Sequence, residues 1–206
     1  MTKIPFLFNV NGSLGCGNSS KPDYYNAAEL IEHMDRLGVD RSLVWRIPVG
    51  SNEELLNEIA ATPGASDRLI PAYTTTVLSG YNSKDNSKIT EAVSSGLVKA
   101  LRVKLADWHY SLSMLEDMLR EIEEYKPVLL FNCRESLDIR GLLDFAGKFP
   151  NVPMVFMETW HPFYTALLEL MTKRSNVYAD ISWLHMHNAI EDLTKRFGAE
   201  RILFGM

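Results

Sequence analysis

Short apolar runs alternate with amphipathic stretches along the whole chain, and their periods differ. Phe6 to Val10 is a compact apolar run broken at Asn11-Gly12, which predicts a first strand. Pro22-Asp23 opens a helical pattern through Ala28, Leu30, Ile31 and Met34 that Gly38 stops. Ser42 to Trp45 is the second strand. Ser51 with Glu54 three residues on makes a capping box ahead of Leu55, Leu56 and Ile59. Arg68 to Thr76 predicts a third strand and Ile89 to Ser95 a short helix. Leu97 to Leu105 is a fourth strand, with Leu101, Val103 and Leu105 alternating against Arg102 and Lys104. Then follow a helix over Ser113 to Tyr125, ended by Pro127, a strand over Val128 to Asn132 and a helix over Leu137 to Phe149. Pro153 to Met157, Val177 to Ile181 and Ile202 to Phe204 complete the strands. Pro162 to Lys173 and His187 to Phe197 are the helices between them.

Eight strands alternating with seven helices, with few hairpin signals, give a parallel sheet. Successive right-handed crossovers close eight strands into a (β/α)8 TIM barrel more naturally than they leave an open doubly wound sheet, the structural alternative. No repeat or low-complexity segment competes, so residues 1–206 read as one domain. Such barrels typically need about 250 residues. This chain has 206 and stops at Met206, where the eighth strand would hand over to its loop and helix. The sequence therefore predicts a barrel lacking its final helix and incomplete at its C-terminal end. The alternative is a partner covering the open apolar seam, which leaves a homo-oligomer in view.

Composition narrows the classes. The chain is 46% hydrophobic and 23% charged, as a soluble globular domain is. A formal net charge of −5 gives no electrostatic reason for nucleic acid or an anionic membrane as partner. The apolar run near the N-terminus is too short for a signal peptide, and no stretch approaches the roughly 18 apolar residues of a membrane span. Cys16 and Cys133 lie far apart without metal spacing, which reads as free thiols in a reducing cytoplasm.

Reactive groups in such barrels stand at the C-terminal ends of the strands. There the sequence places Asn9, Asn11 and Ser13, then Arg46, then Thr74 and Thr75, then Lys104 with Trp108, His109 and Tyr110. Asn132, Cys133, Arg134 and Glu135 follow the fifth strand, and Glu158, Trp160 and His161 the sixth. Asp180, Ser182, Trp183, His185 and His187 follow the seventh. Polar and aromatic groups mixed in this way suit a small-molecule pocket.

Four segments, in this order, resemble the amidohydrolase-related family. They are Gly96-Leu97-Val98-Lys99-Ala100-Leu101-Arg102, Pro127-Val128-Leu129-Leu130, Asn176-Val177-Tyr178-Ala179-Asp180-Ile181-Ser182 and Glu200-Arg201-Ile202-Leu203-Phe204-Gly205. The last two are the most specific. The resemblance implies a (β/α)8 barrel and metal-dependent hydrolysis or, in some members, decarboxylation. It also implies a first-strand pattern D-x-H-x-H-x-G. Here Gly15 holds the glycine, while Asn9 takes the aspartate position and Asn11 and Ser13 those of the histidines. The fifth-strand histidine falls at Phe131 or Asn132, and the sixth-strand one at Glu158. The aspartate after the eighth strand would come just past Met206.

Amide and hydroxyl oxygens are poor zinc ligands, so Asn9, Asn11 and Ser13 are read as hydrogen-bonding to substrate or water. Glu158 and His161 are the candidates for one divalent, zinc-like ion, if any is bound. Glu158 ends an apolar strand, where a carboxylate is costly unless paired or used, and is read as base, metal ligand or partner of Lys104 or an arginine. Lys104 and His109 would assist it. Arg46, in a loop stiffened by Pro48, and Arg134 would clamp a substrate carboxylate, with Asn11 and Asn132 orienting it. Arg102 is expected in the helix layer or in a barrel ion pair. Trp160 contributes to an aromatic wall, and Asp180 to substrate binding or to a pair inside the barrel. These readings predict an amidohydrolase-like hydrolase that activates water against a small polar or carboxylate-bearing molecule. Two alternatives are a barrel that has lost catalysis and binds a metabolite, and a metal-independent lyase or lactonase.

Overall fold

A computed structural model describes residues 6–15, 26–47, 52–76, 83–105, 111–135 and 137–205. Eight parallel strands lie in sequence order: β1 (Phe8–Leu14), β2 (Arg41–Arg46), β3 (Leu69–Thr76), β4 (Ala100–Lys104), β5 (Val128–Asn132), β6 (Met154–Met157), β7 (Val177–Asp180) and β8 (Ile202–Leu203). The last strand meets the first, because the Val10 amide donates to the Phe204 carbonyl at 3.0 Å. The ring is thus the expected (β/α)8 barrel.

The helices are α1 (Ala27–Leu37), α2 (Asn52–Ala61), the single turn α3 (Ala65–Arg68), α4 (Ser83–Ser94), α5 (Glu116–Ile122), α6 (Ile139–Lys148), α7 (His161–Lys173) and α8 (Ala189–Phe197). Asn26 caps α1 by accepting from the Glu29 amide, and Gly38 ends the helix in the left-handed region. The expected openings at Pro22-Asp23 and Ser51 lie outside the described residues. No described helix is long and apolar enough to cross a membrane.

The core has two layers. Inside the ring Leu43, Trp45, Ala72, Ala100, Leu130, Val155 and Met157 pack together. Outside it, Leu101, Val103, Leu129, Phe131, Met154 and Phe156 face Ile122, Leu142, Phe145 and Leu167 of the helices. Alternation along each strand assigns residues to one layer or the other.

Strand β1 departs from expectation. It runs on through Asn11-Gly12 to Leu14, and its pairing with β2 shifts between Asn9 and Gly12. A Cβ at residue 12 would stand 2.6 Å from Ser42 Oγ and 2.9 Å from the Leu43 carbonyl, so glycine permits this close approach.

Two buried clamps hold the outer ring. Asn176 Nδ2 donates to the carbonyls of Ala146, Phe149 and Val152 at 3.2, 2.9 and 3.0 Å. Arg201 Nη2 donates to those of Met171, Arg174 and Val177. Those of Ala146 and Phe149 end α6 and those of Met171 and Arg174 end α7, where helical partners run out, while Val152 and Val177 lie at the entries to β6 and β7.

Candidate functional site

The C-terminal strand ends form the mouth of the barrel. On β7, Asp180 is fully buried and faces inward, with three donors converging on it. Its Oδ2 accepts from the Glu158 amide at 3.0 Å and the Ser182 hydroxyl at 2.5 Å, and its Oδ1 from the Ser182 amide at 3.0 Å. Burial pushes its carboxyl pKa above the usual aspartate value, although the three donors oppose the shift. No cation pairs with it among the described residues.

Glu158 follows β6 with φ 53, in the left-handed region that a non-glycine side chain rarely occupies. The Asp180 tether helps to hold it there. The residue as a whole is half-buried at the strand end. The expected Glu158–Lys104 pair does not form. Lys104 Nζ stands 3.1 Å from Glu135 Oε1, at an angle that makes an ion pair rather than a well-directed hydrogen bond. Glu135 Oε2 accepts from the Leu105 amide at 2.7 Å.

Asn9 is buried on β1, donating to Ser42 Oγ at 2.8 Å and accepting from the Asn11 amide at 3.0 Å. Asn11 Oδ1 is buried without a partner among the described residues. A Cβ at Gly205 would collide with Asp180 Oδ1 and the Asn11 side chain, so glycine there lets β8 pass beside both. Asn132 turns its Oδ1 back to accept from the Arg134 amide at 2.8 Å. Arg134 is exposed and covers the Trp183 ring, 4.7 Å from its centre. Trp160, 43% exposed, donates its indole N–H to the Cys133 carbonyl at 3.1 Å. The loops after β5, β6 and β7 are thereby linked into one rim.

Two expectations are corrected. Arg46 does not point into the barrel: it pairs with Glu54 at 3.1 Å and with Glu58, both on α2. The inward residues of β2 are Leu43 and Trp45, and alternation turns Arg46 outward. Arg102 does the reverse. It faces the interior over the Trp45 ring, in register with Thr74 and Leu130, and has no ion pair among the described residues. The alternation in the sequence set Arg102 and Lys104 on one face, opposite Leu101 and Val103, and the structure shows that face to be the inner one. His161, the first residue of α7, is exposed, and among the described residues it belongs to no group of three or more potential metal ligands. His109 and Cys16 lie outside the described residues. Cys133 is buried, and its thiol is pushed far above the ordinary value by desolvation, which makes it a poor nucleophile.

The amidohydrolase family model matches residues 27–205. No curated protein sequence matches the chain. Similar solved structures include a 5-carboxyvanillate decarboxylase of Sphingomonas paucimobilis, 12% identical with a TM-score of 0.71, covering 98% of this chain and 88% of that one. A second decarboxylase of that kind, from Novosphingobium aromaticivorans, is complexed with manganese and 4-hydroxy-3-methoxy-5-nitrobenzoic acid. It is 13% identical with a TM-score of 0.72, covering 98% and 86%. A probable 2-pyrone-4,6-dicarboxylic acid hydrolase of Acinetobacter baumannii, with citric acid bound, is 13% identical with a TM-score of 0.63, covering 97% and 82%. At these identities the likeness establishes the fold.

The metal such barrels imply does not fit the donors found among the described residues. Among the described residues no three His, Cys, Asp or Glu side chains form a group able to hold an ion. The first-strand positions supply Asn11 and Ser13, and an unpartnered amide oxygen is a weak ligand for a transition metal. Asp180 already accepts from two amides and a hydroxyl.

Proposed function

The chain belongs to the amidohydrolase family, and from that premise we propose that it is a hydrolase that activates water against a small, carboxylate-bearing molecule at the mouth of its barrel. The observation that carries this reading is Glu158. A left-handed backbone and an amide hydrogen bond to a buried aspartate fix the backbone of this half-buried glutamate at a strand end. Such strain is kept where the surrounding structure enforces it, and it clusters at functional positions. In the proposed reaction Glu158 takes a proton from water as the water oxygen bonds to the carbonyl carbon of an ester, lactone or amide. The bond to the leaving group breaks, and the proton passes to that group. Lys104 opposes the charge that develops on the carbonyl oxygen, while Asn11, Asn132 and Arg134 orient the substrate. His109 remains an assisting group on the evidence of its position in the sequence.

Lactones and amides bearing a carboxylate provide the assay. Glu158→Gln is expected to lower kcat by about 100-fold or more, the usual range for loss of a general base. Full activity in that variant would remove the proposed role. Asn11 and Ser13 at histidine positions favour a second reading, in which the barrel binds a metabolite without turnover. Tight binding that a chelator leaves unchanged, with no hydrolysis of any substrate, selects it. The decarboxylase neighbours extend the same test to release of carbon dioxide from carboxylated aromatics.

A further inference from the structure

Arg102 sits within β4, only 8% exposed, on the strand face that lines the barrel. Its guanidinium carbon stands 4.5 Å from the centre of the Trp45 ring on β2. No carboxylate reaches ion-pair distance among the described residues, and its buried Nε–H has no acceptor. Glu135 and Glu158 act on it only through their field, and burial outweighs them, drawing its pKa below the ordinary arginine value. A lysine so placed would shed its proton, whereas a guanidinium stays charged. A buried charge without a partner is heavily penalised, so the fold carries a cost here that a counter-ion would remove. Among the described residues two more buried polar atoms, on β2 and β3, also lack partners: the Trp45 Nε1–H, which can only donate, and the Thr74 hydroxyl.

We propose that β2, β3 and β4 build an oxyanion subsite inside the barrel, where Arg102 Nε–H and Trp45 Nε1–H donate to one carboxylate of a small molecule and Thr74 adds its hydroxyl. Stacking on Trp45 orders the guanidinium and leaves its edge donors to the ligand. Lys104 is no substitute, being partly exposed and engaged with Glu135. The subsite rests on the hydrolase reading only in taking the oxyanion to be a carboxylate. It also deepens that reading: the carboxylate lies on the β2–β4 side, and the bond to be broken points toward Glu158 across the ring.

Malonate, inorganic phosphate and chloride at matched ionic strength are the probes, read by tryptophan fluorescence and by Tm. Malonate is expected to raise the wild-type Tm saturably, beyond chloride. Arg102→Met should fold with an unliganded Tm equal to or above wild type, because it replaces an unpaired charge by apolar volume. It should weaken malonate binding about 10- to 100-fold. Trp45→Phe, which removes one N–H, should weaken it about 3- to 10-fold, and Arg102→Lys should fall between. If Arg102→Met does not fold, the other two variants decide by the same readings. The proposal is overturned by a wild type that responds to malonate no more than to chloride, by variants that respond as wild type does, or by a site that takes phosphate and refuses malonate. Arg102-dependent binding in a protein without turnover supports the subsite and removes the hydrolase reading. Turnover indifferent to Arg102→Met does the opposite.

Discussion

Removing the Asp180 carboxylate tests whether the mouth is organised as described. Alanine at this position leaves the amides of Glu158 and Ser182 without an acceptor in a buried setting, while the Ser182 hydroxyl can turn elsewhere. Each orphaned amide costs about 1–3 kcal/mol. Against this, the variant is relieved of a desolvated carboxylate, whose raised pKa records that burden. The balance is a loss of roughly 2–4 kcal/mol, read by urea unfolding at pH 7. Asparagine keeps the shape and one acceptor, so Asp180→Asn should lose less, about 1–2 kcal/mol. The pH dependence has a definite sign. A carboxyl whose folded pKa exceeds its unfolded value near 3.9 binds more protons when folded, so its contribution is complete below about pH 4 and is lost as pH rises through the folded value. The stability advantage of wild type over Asp180→Asn should therefore narrow as pH climbs from 4. An advantage that widens over that window, or an Asp180→Ala variant within 0.5 kcal/mol of wild type, would refute the reasoning (the latter falling below the cost of even one orphaned amide).

Two further predictions separate structure from function. Arg46→Ala should lower stability by about 1–2 kcal/mol, since it strands the partly buried Glu58, yet leave malonate binding unchanged; altered binding would place Arg46 at the ligand after all. Asn176→Asp should cost about 3 kcal/mol or more in chemical denaturation, because it sets carboxylate oxygens against the three carbonyls that Nδ2 now satisfies. A near-neutral result would show that the clamp contributes nothing net.

The segments that carried the family resemblance most specifically prove to be largely architectural. Asn176 and Arg201 tie off the ends of α6 and α7, and Gly205 gives β8 room beside Asp180. Within these segments the side chains that reach the mouth are those of Asp180 and Ser182, which are bonded to each other. A sequence signature of this kind predicts a fold better than it predicts chemistry, because backbone carbonyls at helix ends need partners whatever the barrel does.

The order and type of the elements were determined by the sequence alone. Apolar runs of four to eight residues between amphipathic stretches allow few arrangements besides a parallel barrel, and the strand-end rule brought Glu158, Lys104, Asn11 and Asp180 to the same end. Tertiary structure decided which way several of them face. Strands of a parallel barrel are covered on both sides, so hydrophobicity marks neither face as the inner one. Arg46 and Arg102 exchanged their expected sides for that reason. The Glu158 backbone, the Lys104–Glu135 pair and the unpartnered Arg102 join residues some 20 to 60 positions apart, where a one-residue change of register would reverse every contact.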